Sequence, residues 1–146
     1  MGILSDFFVA TPEEALRYAN RIEEHDEGDE IEELLHPVQY KRFTDLEITT
    51  LWAILEGSDW DVDRHALEYI EIGEDNEAWL NRFPDELTTL LARLEPESQA
   101  AVLEAWAGTE ELACDPAELQ PVVDDLQRLA SEAAASEKSV YLWGCL

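Results

Sequence analysis

The sequence predicts an α+β domain: a small, mostly antiparallel sheet that includes both chain termini, covered by five to six amphipathic helices. Three observations carry that expectation. Short aromatic and β-branched runs sit at the two extreme ends, at residues 6–10 and 139–146. Between them, apolar residues recur at helical spacing behind cap-and-proline starts. The chain has 146 residues, 46% of them hydrophobic and five of them Trp. That is enough to bury roughly 68–70% of the unfolded surface, so a single domain over residues 1–146 is expected.

The elements follow in order. Asp6-Phe7-Phe8-Val9-Ala10 reads as a first strand. Thr11-Pro12-Glu13-Glu14 opens a helix: Thr11 supplies the cap, Pro12 suits the first helical position, and Glu14 completes a capping box. Ala15, Tyr18, Ala19 and Ile22 recur at helical spacing and carry the helix to about residue 24. A short second helix through Ile31, Leu34 and Leu35 stops at Pro37, and Gln39–Phe43 is a brief strand. Thr44-Asp45-Leu46-Glu47 is a second capping box, opening a helix striped by Ile48, Leu51, Trp52 and Leu55 and stopped by Gly57. From Asp61 to Ile70 a helix competes with an extended reading of Tyr69–Ile72. Trp79–Phe83 is a strand ended by Pro84, because the residue before proline disfavours helix. Helices then run through Leu87 to Leu94, through Ala100 to Ala107 ending near Gly108, and from Asp115-Pro116 through Leu119, Val122, Val123, Leu126 and Leu129. Pro121 falls early enough in the last of these to disturb it only mildly. Ser139–Leu146 is apolar on both faces, as a central strand is. Neither terminal strand tolerates exposure, so the two are expected to pair.

Charge narrows the function. The chain carries 35 carboxylates against nine Lys plus Arg, a formal net charge of −26. Nucleic-acid affinity comes from neutralising phosphates with clustered cations. Here the basic residues stand singly or in the one adjacent pair Lys41-Arg42, so direct nucleic-acid binding is not expected. Anionic membrane surfaces repel such a chain for the same reason. There is no apolar run of spanning length, and the opening MGILSDFFVA lacks the basic and apolar regions of a signal peptide. With only Cys114 and Cys145, the expected compartment is the cytoplasm, with reduced thiols.

One stretch breaks local rules. Eight of the eleven residues from 23 to 33 are carboxylates: Glu23, Glu24, Asp26, Glu27, Asp29, Glu30, Glu32 and Glu33. A continuous helix there would stack like charges at Asp26/Glu30 and Asp29/Glu33, each costing about 0.2–0.5 kcal/mol, so Gly28 is expected to break it. Folding does not require this conflict, and such conflicts concentrate at functional sites. The run is therefore the expected surface for a basic protein partner. Trp60, between Asp59 and Asp61 in a turn, joins it as an aromatic anchor, whereas Trp52, Trp79, Trp106 and Trp143 read as core.

Other chemistry finds less support. Asp59-x-Asp61-x-Asp63 begins like a calcium loop, but Arg64 and Ile70 stand where glycine and glutamate are required. A helix cap is the expected role for Asp59 or Asp61. His25, His36 and His65 lack ligand spacing, nothing places a base beside either cysteine, and the six glycines form no phosphate loop. No metal, cofactor or catalytic residue is assigned. A small enzyme with a site assembled from distant residues, and acidity serving only salt tolerance, are the competing readings.

Three stretches, Ser5-Asp6-Phe7-Phe8-Val9-Ala10-Thr11-Pro12-Glu13-Glu14, Arg82-Phe83-Pro84-Asp85-Glu86-Leu87 and Tyr141-Leu142-Trp143, are similar to small, acidic, uncharacterised bacterial proteins of about this length. The resemblance implies a bacterial cytoplasmic domain. It brings no activity, and these residues are strand and cap residues.

Overall fold

The computed structural model describes residues 4–20, 33–41, 43–72, 78–110 and 112–145. Five strands and five helices are assigned among them: β1 (Leu4–Ala10), α1 (Pro12–Ala19), β2 (Val38–Lys41), α2 (Asp45–Glu56), β3 (Glu68–Ile70), β4 (Trp79–Arg82), α3 (Asp85–Ala92), α4 (Pro96–Ala107), α5 (Pro116–Ser136) and β5 (Ser139–Cys145). Residues 33–35 add one helical turn. The strands form one antiparallel sheet in the order β2-β1-β5-β4-β3, with the strands from the two ends of the chain side by side at its centre. The fold class expected from the sequence is the one observed.

Register follows from alternation. Phe7 pairs with Leu142 and Val9 with Val140, whereas Phe8 pairs with Tyr141 on the opposite face. On the first face Phe7, Val9, Val140 and Leu142 meet Phe83 and the apolar stripes of the four later helices, including Leu87, Leu91, Trp106 and Leu126. On the second, α1 lays Ala15, Tyr18 and Ala19 over Phe8, Ala10, Leu80 and Tyr141. The Tyr18 hydroxyl donates to the buried Asp6 carboxylate. Both faces of β5 are thus covered, which is why its sequence does not alternate polar with apolar. Each fully buried Leu, Val or Phe contributes on the order of 1.5–3 kcal/mol relative to exposure.

Both capping boxes form. Thr11 Oγ1 accepts from the Glu14 amide at 3.2 Å while Glu14 accepts from the Thr11 amide at 2.9 Å. That backbone bond holds the Glu14 carboxyl below its ordinary pKa. At α2, Thr44 and Glu47 make the same exchange, and Gly57 closes the helix in the left-handed conformation at φ 75°. The long α5 passes through Pro121 unbroken, capped by Asp115. Two details bear on the expected boundaries. α1 is assigned over Pro12–Ala19 with its cap at Asn20, and the continuation expected to residue 24 lies outside the described residues. Residues 61–70 contain a single tight turn followed by β3, so the extended reading prevails and the helical one is overturned. The reason is tertiary: Glu68, Tyr69 and Ile70 pair with Arg82, Asn81 and Leu80 of β4.

Candidate functional site

Of the acidic run, Glu33 is exposed in the 33–35 turn. Glu23, Glu24, Asp26, Glu27, Asp29, Glu30 and Glu32 lie outside the described residues. Trp60 is placed, and it stands on a built loop.

The loop begins where Gly57 reverses the chain after α2. Glu56, the last helical residue, accepts two hydrogen bonds from the Arg64 guanidinium, 2.8 Å from Nε and 2.6 Å from Nη2. It also contacts the His65 ring at 3.0 Å. His65 is buried, with its ring edge-on to Trp52 at 5.2 Å. Its Nδ1 accepts from the Asp61 amide at 3.0 Å, so the ring N–H sits on Nε2 and donates to Glu56. The Asp61 carbonyl in turn accepts from the Arg64 and His65 amides, at 3.2 and 2.7 Å. Asp61 Oδ1 accepts from the Asp63 amide at 2.9 Å. Asp61 therefore caps a turn, not the helix expected after it. Both ends of the loop are fastened to one carboxylate. Bonding to Arg64, then to His65, lowers the Glu56 pKa to about 2, and the same pairing raises that of Arg64.

Trp60 is oriented by this scaffold. Its Nε1 donates to Thr49 Oγ1 of α2 at 3.0 Å, which fixes the ring while leaving the residue 43% exposed. Val62, two residues on, is 64% exposed. Asp59, Asp61 and Asp63 surround the two apolar residues and are themselves exposed. Arg64, the cation of the loop, is engaged by Glu56 and lies 3.7 Å from Glu86. The arrangement is a fixed indole in an anionic setting. Such a surface offers cation–π contact and ion pairing to a cationic, partly apolar group.

Sequence reading located Trp60 but missed Glu56, Arg64 and His65, which hold it. Their link is nine residues long at its widest and obeys no helical or strand period; the one available signal was the glycine stop directly after Glu56. Of the other histidines, His36 lies beside Pro37 in the left-handed conformation, φ 48°. Cys114 and Cys145 are half-buried, Cys145 on β5 as expected. No helix among the described residues is long and apolar enough to cross a membrane. No family model, no curated protein and no solved structure matches the chain.

Proposed function

We propose that the protein is a non-catalytic binding module of the immunity or inhibitor type, which engages a basic protein partner in a bacterial cytoplasm. The observation that supports this best is the exposed, hydrogen-bonded Trp60 on an acidic loop whose every turn is tied down. A rigid aromatic ring loses little entropy on binding, and residues of this kind carry most of the energy in small interfaces. The acidic run, Glu23 to Glu33, extends the anionic character of the chain and is assigned to the same partner through long-range steering.

The test is capture at low salt from the cells that make the protein, using the full chain as bait, followed by measurement of affinity with the purified partner. A basic protein should be retained and then released as salt rises. Trp60→Ala should weaken binding by at least about 30-fold, the equivalent of a 2 kcal/mol anchor. Asp59→Asn, Asp61→Asn and Asp63→Asn together should slow association and flatten the salt dependence. Failure to retain any basic protein, or equal retention by Trp60→Ala, would overturn the reading.

A further inference from the structure

A cavity of about 420 Å³ opens between α5, the start of α1 and residues 34–36, within the size range of small-molecule sites. Its apolar lining is Val9, Leu34, Leu35 and Leu129. Leu34 is 60% exposed, so a large aliphatic surface is left facing water. Its charged lining consists of two opposed pairs, Lys138 with Glu14 at 3.6 Å and Arg128 with Glu132 at 4.0 Å, Arg128 also lying 3.5 Å from Asp125. On a chain of net charge −26 this is a locally balanced spot, taking two of only nine Lys and Arg residues. His36, its backbone in the left-handed region at φ 48°, completes the wall.

We infer that this cavity binds a small zwitterion with an apolar body, the chemistry of a free α-amino acid bearing an aliphatic or aromatic side chain. The charge balance selects the ligand. A simple carboxylate would meet Glu14 and Glu132, and a simple amine would meet Lys138 and Arg128. A zwitterion satisfies both by entering two loose pairs, the half-buried Lys138–Glu14 and the exposed Arg128–Glu132, whose separations of 3.6 and 4.0 Å leave them weakly held. Its ammonium group faces the carboxylates and its carboxylate faces the cations, while its side chain covers Leu34 and Leu35. Glu14 is already positioned for this by the Thr11 capping box. The site is independent of Trp60, so the two can fail separately.

Calorimetric titration of the full chain with L-leucine and L-phenylalanine tests it. At least one should bind saturably with one site per chain. Leucinamide, 4-methylpentanoate and L-serine, which lack the carboxylate, the ammonium and the apolar body respectively, should each bind at least about tenfold more weakly. Lys138→Met and Leu34→Ser, both checked for native circular dichroism, should weaken the best ligand by a similar factor, and Trp60→Ala should leave it unchanged. Absence of saturable binding by both amino acids would overturn the inference. So would equal affinity for a singly charged analogue, or indifference to both cavity variants.

Discussion

At position 144 a hydrogen atom is the only side chain that fits. A Cβ built on Gly144 of β5 would lie 2.5 Å from the indole of Trp79, its cross-strand partner on β4. Gly144→Ala must therefore displace the half-buried ring at the start of β4, and overpacking of this kind costs about 1–3 kcal/mol. Urea unfolding should show a lower midpoint at an unchanged slope. Glu137 presents the opposite case. It caps α5 in the left-handed conformation, φ 57°, where a Cβ is a liability and glycine is at ease. Glu137→Gly should raise stability by about 0.5–1 kcal/mol, or a few degrees in melting temperature for a chain of this size. It also removes a negative charge from a helix C-terminus, which acts in the same direction. A fall in melting temperature would show that the Glu137 side chain does something that its backbone conformation does not explain.

At the scale of one element, the loop after α2 depends on an ionised Glu56. Its pKa is about 2 in the folded protein against an ordinary 4.5. The depressed value means that the stabilisation is fully present above about pH 4.5 and is lost as pH falls through the folded value. Glu56→Gln should therefore melt below the native protein at pH 7, and the gap should close as pH is lowered from about 5 towards 2. A gap constant across that range would show that shape, not charge, holds the loop. The same loop shows how far the sequence could be read. Both capping boxes, the Gly57 stop and the pairing of the terminal strands were legible, because caps act over three or four residues and strand burial is written in the alternation of a single segment. The choice between helix and strand at residues 61–70 was not. Local propensity there is mixed, and pairing with Asn81 and Arg82, a contact formed only in the folded chain, decides it. Trp60 was legible as an exposed ring because it stands between two aspartates. Its anchor on Thr49 was hidden, since the two meet only when the loop folds back along α2.

Across the whole molecule, −26 charges on 8582 Å² of surface amount to one net charge for about every 330 Å², a mean spacing of about 18 Å. That spacing is shorter than the screening length of about 30 Å at 0.01 M salt and longer than the 10 Å at 0.1 M. Self-repulsion should therefore be felt in dilute buffer and largely vanish by physiological ionic strength. The paired cations reinforce the point, because Arg64, Arg82, Arg128 and Lys138 are spent on neighbours within the chain and neutralise little of the remaining exterior. The melting temperature should rise as sodium chloride goes from about 0.01 to 0.1 M and then level off, with no further gain specific to molar salt. A protein whose acidity serves only salt tolerance should instead keep gaining stability towards molar concentrations. The proposed binding to a basic partner must respond with the opposite sign, weakening over the same interval in which the fold is strengthened. Melting curves and affinities measured on one salt series separate the two roles of the same charge. A melting temperature that does not change between about 0.01 and 0.1 M would mean that the carboxylates are too well dispersed to oppose folding, and would leave their attraction for a partner to be judged by binding alone.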